Sequence, residues 1–401
     1  MVGISNDLAV IIIVMPFTQN NSFEILRAFR RSHGMPSIAT KGLGPYYLTG
    51  KTLFASQSGR EVFVKKISTG SPSIPRRGPV LMVSGVACNG NLFRLKTDDG
   101  ELLSFAHNRS FANLLAAQGF PVYLWHYPSS ELVYNRYVSR YCPESAFFGR
   151  RYSVSPALNF DQLVNLYLPM VVNMVARDAG TERLSYLGFS MGGMLAYAYL
   201  ARFGDERIRN LVTIGSPVTI SPSMTRLITN LNRVSKLLGA EEKTVPGAIS
   251  EHLNLFASLA AFLPGDILRT RLFDFLYNPG NVNNNALRAF FSRVIEPIPS
   301  GLENSFDQFI REGFVSLAGD VDYYAGLKGL GKRPDCLFIA GAKDKVALVG
   351  SVRRAQQALT PREEHNLVIV KESGHNDLVI GNNSEVEVWE RSLDWLIANN
   401  R

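Results

Sequence analysis

The sequence predicts an α/β protein with a mostly parallel central sheet flanked by helices, and with a helical insertion late in the chain. Two observations support this class. From residue 79 onward, short apolar strands alternate with segments of helical periodicity, which is typical of βαβ units and parallel sheets. Between residues 218 and 320 the alternation stops, and an irregular stretch of amphipathic apolar runs separated by prolines takes its place. The alternation then resumes and continues to the last residues.

The predicted elements begin with a hairpin and continue as alternating strands and helices. The hairpin covers residues 46–68 and turns at Ser58-Gly59, and a proline-rich connector over 71–79 follows it. Strands are expected at 79–85, 121–125, 184–188, 210–215, 335–341 and 366–371. Helices are expected at about 110–118, 159–179, 192–203, 349–359 and 385–399, with Gly119 and Gly180 as stop signals. In the insertion, apolar runs at 253–263, 267–277 and 286–295 are too short to cross a membrane.

These elements divide the chain into three parts. Residues 1–45 form a basic N-terminal segment, residues 46–216 and 321–401 form the sheet domain, and residues 217–320 form a helical lid or cap insertion. The insertion accounts for most of the length beyond one ordinary domain in this chain of 401 residues.

Composition and charge exclude several classes of protein. With 46% hydrophobic and 19% charged residues, the chain is neither disordered nor collagen-like. The formal net charge is +8, and residues 1–77 hold ten lysines and arginines against three acidic residues. The basic character therefore belongs to the N-terminal part, away in sequence from the candidate site described below. We do not take it as evidence for a nucleic-acid partner, although it is compatible with a surface anchor or a targeting segment.

The sequence favours a soluble, cytoplasmic protein. Its three cysteines are widely spaced and form no CxxC pair, which suits a reducing compartment. The apolar run at 8–15 follows Asp7, lacks a basic region before it and is a poor signal peptide. Residues 22–41 resemble an organelle transit segment loosely, and a solvated N-terminal helix is the simpler interpretation. Peripheral membrane contact through the lid or the basic N-terminus stays open.

A nucleophile candidate lies where the strand at 184–188 meets the next helix. Residues 188–192 read G-F-S-M-G, a match to G-x-S-x-G, and Gly193 extends it. Such a motif lifts its serine above a sheet on a sharp strand-to-helix turn, and glycines on either side let strand and helix approach closely. The alternative is an ordinary glycine-rich turn. A phosphate-binding loop is excluded because neither G-x-x-x-x-G-K-[ST] nor G-x-G-x-x-G is present. Ser190 is therefore the predicted nucleophile.

A serine nucleophile needs a base and a group that orients the base. Of six histidines, His375 alone lies in a turn directly after a late strand, on the sheet edge where Ser190 emerges. His126 also follows a strand but precedes Ser190 in the chain. Asp344 lies three residues past the end of a strand on the same edge and is the predicted acid. Asp377, two residues beyond His375, is the competitor, and it is better placed to tighten its own turn.

An oxyanion needs backbone N–H donors. One is the amide of Met191, the residue after the nucleophile, and the other comes from the loop after the first parallel strand. In that loop we favour Val86, and Gly85 or Ala87 could serve instead. Residues 88–89 either line the site or are ordinary loop residues. No H-E-x-x-H, paired CxxC or calcium-binding loop is present, so the sequence implies neither metal nor cofactor.

These motifs carry a family resemblance that covers about residues 46–401. Gly85-Val86, the pentapeptide at 188–192, Asp344 and Gly374-His375 follow one another as in the α/β-hydrolase superfamily, and the resemblance implies that fold. The strand and loop at 80–89, the long insertion and the G-H-N-D-L sequence at 374–378 are similar to acid lipases and polyhydroxyalkanoate synthases. The synthases have cysteine where this chain has Ser190. Acid lipases have His-Gly before the oxyanion donor, where this chain has Ser84-Gly85.

The sequence thus predicts a serine hydrolase that cleaves an apolar carboxylic ester, lipid-like or a hydroxyalkanoate, through an acyl-enzyme. Replacing the synthases' cysteine by serine favours hydrolysis over polymer synthesis through a thioester. An acyltransferase, or a polyhydroxyalkanoate-type synthase or depolymerase, would use the same nucleophile and is the alternative. A non-enzymatic binding protein with this fold is disfavoured because it would not need serine, acid and histidine together.

Overall fold

A computed structural model describes the sheet domain and the second half of the insertion. The described residues are 48–57, 60–71, 74–95, 110–131, 133, 155–204, 206–220, 257, 260–270, 273–361 and 364–400. The basic N-terminal segment, the turn of the predicted hairpin and most of the apolar run at 253–263 lie outside them.

The strands form one sheet whose order in space is β1-β2-β4-β3-β5-β6-β7-β8. The first two strands pair antiparallel as the predicted hairpin, β2 runs antiparallel to β4, and all pairs from β4 to β8 are parallel. Strands β3, β4 and β5 are buried along their whole length, which explains their continuous apolar sequences. The predicted α/β class with a mostly parallel sheet is confirmed. The strands are β1 (Leu48–Gln57), β2 (Arg60–Thr69), β3 (Val80–Val83), β4 (Val122–His126), β5 (Leu184–Phe189), β6 (Ile208–Ile214), β7 (Asp335–Gly341) and β8 (Leu367–Val370).

Helices connect the strands and continue into the insertion. Ser110 caps the first helix by accepting a hydrogen bond from the Asn113 amide. As predicted, Gly180 ends the third in the left-handed conformation. In the described residues the helices are α1 (Phe111–Ala117), α2 (Phe160–Gln162), α3 (Leu168–Ala179), α4 (Met191–Phe203), α5 (Gly265–Leu268), α6 (Asn284–Arg293), α7 (Ser300–Glu312), α8 (Tyr323–Lys328), α9 (Val349–Leu359), α10 (Asp377–Ile380) and α11 (Glu390–Ala398).

Two predicted helices differ from their expected regular form. The segment expected at 159–179 contains a π-helical turn at Leu163–Tyr167, between α2 and α3. The segment expected at 385–399 begins with a second π-helical turn, Glu385–Trp389, before α11. Short 3₁₀ turns lie at Gly90–Arg94, Pro279–Asn281 and Glu364–Asn366.

In the described residues of the apolar run at 267–277, the α-helix is confined to the end of α5. The backbone groups of residues 276 and 278 form hydrogen bonds with the loop that carries His375 instead of within a helix. The Leu276 carbonyl accepts from the Asn376 amide at 2.8 Å, and the Asn278 amide donates to Asp377 Oδ1 at 3.1 Å. Phe273 and Tyr277 are nevertheless both buried, and their rings stack with centroids 6.5 Å apart.

The described part of the insertion shares the core of the sheet domain. Phe273, Tyr277 and Phe290 belong to the same cluster of buried side chains as the sheet strands, and the run at 286–295 forms α6 as expected. The proposed domain boundaries remain a prediction. None of the helices in the described ranges is long and apolar enough to cross a membrane.

The topology brings the predicted site residues to one edge of the sheet. Strands β3, β5, β7 and β8 run parallel, so their carboxyl ends meet at the same edge. The loops that leave these ends carry residues 84–90, Ser190, Asp344 and His375 in turn. Ligands of open α/β sheets bind at this edge.

Candidate active site

Ser190 occupies a strained turn between β5 and α4. Its backbone has φ 52° and ψ −121°, and within the described ranges Ala87 alone among the other non-glycine residues has a positive φ. Such a conformation costs about 1–3 kcal/mol and persists where the surroundings enforce it. Here the Ser190 amide donates to the Ile214 carbonyl at 2.8 Å, which anchors the turn to β6. The turn places the serine side chain beyond the strand at the start of the helix.

Two glycines of the motif make this turn possible. A Cβ on Gly188 would lie 2.5 Å from the Gly193 amide nitrogen, because strand and helix meet there. A Cβ on Gly192 would lie 2.1 Å from the Val83 carbonyl oxygen, because the helix begins directly against β3. Real Cβ atoms do not approach backbone so closely, so the close packing of β3, β5 and α4 requires glycine at both positions.

The three predicted triad residues form a chain of hydrogen-bond contacts with His375 in the middle. His375 Nε2 lies 2.9 Å from Ser190 Oγ, and His375 Nδ1 lies 2.7 Å from Asp344 Oδ2. The other carboxylate oxygen, Asp344 Oδ1, accepts from the amides of Val346 and Ala347 at 2.8 and 2.7 Å. This arrangement fixes the carboxylate, so that Nδ1–H of the imidazole donates to it and Nε2 can accept from the serine hydroxyl.

The competing carboxylate, Asp377, points elsewhere. It accepts from the amides of Gly374 and Asn278 at 3.0 and 3.1 Å and from Asn281 Nδ2 at 2.9 Å. Burial raises the pKa of its carboxyl group, and these donors oppose the rise. Asp377 therefore ties the turn that carries His375 to the insertion, and the structure brings Asp344 to the imidazole.

The loop after β3 lies against the nucleophile. A Cβ on Gly85 would lie 3.0 Å from Ser190 Cβ. The loop turns through residues 85–88, closed by the Cys88 amide on the Gly85 carbonyl at 3.3 Å, and its third residue, Ala87, has φ 57°. In the described part of the chain no acceptor takes the amides of Val86 or Ala87.

The Met191 amide is available as well, because the first N–H groups of a helix have no partner within it. Met191 directly follows Ser190, and the loop that carries Val86 packs against Ser190 at Gly85. Whether Val86 or a neighbour donates from the loop stays a prediction.

Two other ionisable groups near this loop are unsuited to catalysis. Burial raises the pKa of the Cys88 thiol, and nearby Glu296 raises it further, so the group stays a neutral thiol. Burial lowers the pKa of His126 to about 3, with Lys65 and Arg94 adding to the effect, so its ring is neutral at pH 7. His126 Nδ1 accepts from the Gly90 amide at 3.3 Å, which gives the ring a structural role.

The insertion contacts both loops that complete the site. Asn281 Nδ2 lies 2.9 Å from Asp377 Oδ2 and 3.2 Å from Ser373 Oγ, on the histidine loop. Glu296 Oε1 lies 2.7 Å from Asn89 Nδ2, on the loop after β3. Sequence reasoning missed these residues, because their partners are about one hundred to two hundred positions away. The only local signal is that Glu296 is a lone acidic residue between isoleucine and proline in an apolar stretch.

The described residues were also compared with the requirements of a metal-ion site. Among the residues that the structure describes, no group of three or more histidine, cysteine, aspartate or glutamate side chains is arranged to hold a metal ion.

Comparison with known proteins gives one family and relatives of low sequence identity. A family model described as alpha/beta hydrolase fold matches residues 165–381. The chain is 23% identical over 312 residues to the poly(3-hydroxyalkanoate) polymerase subunit PhaC of Haloferax mediterranei. This alignment covers 73% of the chain and 55% of that protein, so the chain spans about half the length of this curated relative.

Two solved structures share the fold. A candidate lipase from Sulfolobus solfataricus has a TM-score of 0.53 and 16% identity, with 88% of this chain and 95% of that chain covered. A carboxylesterase structure from Nitrososphaera gargenis has a TM-score of 0.52 and 14% identity, with 86% and 98% covered.

Proposed function

The chain belongs to the alpha/beta hydrolase fold family, and from this premise we propose that it is a serine hydrolase acting on carboxylic esters. The observation that carries the proposal is the continuous hydrogen-bonded relay from Ser190 through His375 to Asp344, at 2.9 and 2.7 Å. Each member has the partner its role requires.

Acylation would begin at the serine hydroxyl. Ser190 Oγ bonds to the ester carbonyl carbon as its proton passes to His375 Nε2, and the carbonyl oxygen becomes an oxyanion. The amides of Met191 and Val86 would hold that oxyanion, and the start of α4 beneath the serine favours the negative charge. Collapse of the intermediate breaks the ester C–O bond, and His375 returns the proton to the departing alcohol.

Deacylation repeats these steps with water. A water molecule loses a proton to His375 Nε2 and attacks the acyl carbon, and the second oxyanion occupies the same amides. Its collapse releases the carboxylic acid and returns the proton to Ser190 Oγ. Asp344 keeps the imidazole in the required tautomer and stabilises the imidazolium throughout.

An apolar acyl group fits the surroundings of the site best. Ser190 and His375 are 6% and 5% exposed, and the Phe189 ring lies 4.9 Å from the imidazole, so the reacting groups lie in a largely apolar setting. The similarity to a poly(3-hydroxyalkanoate) polymerase subunit supports hydroxyalkanoate esters as one substrate class, and lipid-like esters are the other. Contact with a membrane surface through the basic N-terminus or the lid remains part of the proposal.

Acyl transfer to an alcohol is the second candidate function. The same relay would serve it, and the low exposure of Ser190 and His375 is the observation that favours it, since exclusion of water protects an acyl-enzyme. The similarity to a polymerase subunit points the same way. Serine in place of the synthases' cysteine favours hydrolysis, which we keep as the first candidate.

Labelling with a fluorophosphonate probe tests the proposal. The wild-type protein should form one covalent adduct on Ser190, and Ser190→Ala should form none. Nitrophenyl esters of increasing acyl length should then be cleaved with kcat/KM rising from acetate to medium chains. Added butanol should leave acid as the main product for a hydrolase, and should give butyl esters for a transferase.

The control is Ser216→Ala, which changes a buried serine that bonds backbone carbonyls beside the elbow and has no place in the relay. It should label like the wild type. A folded protein that takes no label, or a Ser190→Ala variant that labels normally, would refute both hydrolysis and transfer.

A further inference from the structure

The loop after β3 is held in a strained shape by the insertion. Ala87 has φ 57°, a conformation that residues with a side chain seldom adopt. Its carbonyl accepts from the Glu296 amide at 2.9 Å, and Cys88 and Ile295 form an isolated antiparallel bridge. Ala87 and Ser190, the two non-glycine residues of positive φ in the described ranges, thus lie in the two segments that would supply the oxyanion donors.

Side chains strengthen this contact through a buried pair. Asn89 Nδ2 donates to Glu296 Oε1 at 2.7 Å and to the Arg293 carbonyl at 3.1 Å. The other end of the Asn89 amide, Oδ1, accepts from the Asn91 amide at 2.9 Å and caps the 3₁₀ turn that follows. The Asn89 and Glu296 residues are 0% and 1% exposed. The pair therefore works away from water, where each hydrogen bond has its greatest effect.

The two halves of the loop are held from different directions. Tyr127 Oη donates to the Ser84 carbonyl at 2.5 Å, and Ser84 Oγ donates to the Cys88 carbonyl at 2.8 Å, so the sheet domain fixes the start of the loop. Its later part, from Ala87 to Asn89, is bonded to the insertion segment 293–296. The amides at 86 and 87 lie between these two anchors.

We infer that Glu296 is a positioning residue, which through Asn89 keeps the amides of Val86 and Ala87 turned toward Ser190. The inference rests on the proposed function, because it concerns the oxyanion formed in that reaction. Without the Glu296 carboxylate, one N–H of the Asn89 side chain has no acceptor and the cap on the loop weakens. Ala87 can then relax toward a negative φ, and this rotates the adjoining peptide away from the oxyanion.

Two substitutions at Glu296 test this role. Glu296→Gln keeps an oxygen that accepts from Asn89, and Glu296→Leu removes it at similar size. Because misplacing an oxyanion donor costs about 10²-fold in rate, Glu296→Leu should lower kcat for a nitrophenyl ester by ten- to a hundredfold, with KM changed less than about threefold. Glu296→Gln should restore kcat to within about threefold of the wild type.

A trifluoromethyl ketone with a matching alkyl chain supplies a readout that general loss of stability would not move. It adds reversibly to Ser190 and places an oxyanion on the same amides. Its inhibition constant should rise in Glu296→Leu by the same factor by which kcat/KM falls, as expected for groups that bind the transition state. Melting temperatures recorded alongside show that the assays are made on folded protein.

Ser351→Ala is the matched control. Ser351 Oγ accepts from the amides of Val218 and Thr219 at 3.1 and 2.8 Å, so it is a buried polar tie between the insertion and the core that does not touch the loop. It should lower the melting temperature and leave kcat and the inhibition constant unchanged. If Glu296→Leu folds and retains wild-type kcat and ketone affinity, or if Glu296→Gln loses as much as Glu296→Leu, the inference is wrong. If the wild type itself shows no Ser190-dependent turnover, the proposed function fails instead.

Discussion

Replacing Asp344 by asparagine should disable the base by forcing its wrong tautomer. Asp344 Oδ1 accepts from the amides of Val346 and Ala347, so in the variant the carboxamide oxygen will keep that position. Its NH₂ group must then face His375 Nδ1, which becomes an acceptor. The proton moves to Nε2, and Nε2 can no longer accept the proton of Ser190.

The magnitude follows from the two amide bonds. Turning the carboxamide over to restore the tautomer would leave two buried amides facing an NH₂ group, at about 1–3 kcal/mol each. At about 1.4 kcal/mol per factor of ten, the correct tautomer would be populated about 30-fold to 20,000-fold less. The variant also loses the charge that stabilises the imidazolium. We therefore expect kcat to fall by about 10⁴-fold, as for the same substitution in serine proteases.

The assay is the turnover of a nitrophenyl ester by Asp344→Asn, with Asp377→Asn as the matched control. Asp377 accepts from Gly374, Asn278 and Asn281, so its substitution should lower the free energy of unfolding and reduce kcat by less than about tenfold. Near-normal turnover in Asp344→Asn, together with an inactive but folded Asp377→Asn, would refute the assignment.

Two further predictions concern stability. Gly192→Ala should destabilise the fold by about 3 kcal/mol or more in urea unfolding, because its Cβ would lie 2.1 Å from the Val83 carbonyl oxygen. The control is Gly350→Ala in α9, which has open space around it and should be neutral or stabilising. Equal changes in the free energy of unfolding would contradict the packing argument. His126 has its pKa lowered to about 3 in the folded protein against about 6.5 unfolded, so the unfolded state binds more protons between these values and stability must fall as pH drops through that window. The free energy of unfolding should fall by about 3 kcal/mol between pH 7 and pH 4. His126→Asn keeps an acceptor for the Gly90 amide and should flatten this part of the plot of stability against pH. An unchanged slope in that variant would contradict the assignment of the effect to His126.

The sequence was sufficient to predict the parts of the site that follow strands directly. Apolar strands in alternation with helices dictate a parallel sheet, and the carboxyl ends of β5, β7 and β8 then bring Ser190, Asp344 and His375 to one edge. That topology predicts that the three side chains lie close enough to form hydrogen bonds. Their catalytic roles are tested by the experiments above. The glycines of the elbow could also be interpreted locally, since strand and helix adjoin in sequence.

The remaining features depend on partners far along the chain. Asn89 bonds to a residue 207 positions away and Asn281 to one 96 positions away, and no periodicity indicates such pairs. The path of the apolar run at 267–277 has the same cause, because the backbone groups of residues 276 and 278 bond to the loop around Asp377. The two π-helical turns, Leu163–Tyr167 and Glu385–Trp389, lie within segments whose periodicity predicts a regular helix.

The contacts between the insertion and the two loops have a consequence for the order of folding. Sheet strands that neighbour each other in sequence can pair early, but the Asn89–Glu296 and Asn281–Asp377 hydrogen bonds close loops of 207 and 96 residues. Closing long loops is slow because the chain entropy is lost before the contacts form. Pairing of β6 with β7 also joins Asn210 to Asp335 across the insertion and closes a loop of similar length. The joining of the two halves of the sheet and the support of the oxyanion and histidine loops therefore depend on slow, long-range contacts of the same kind, and the site becomes complete only when the insertion has docked.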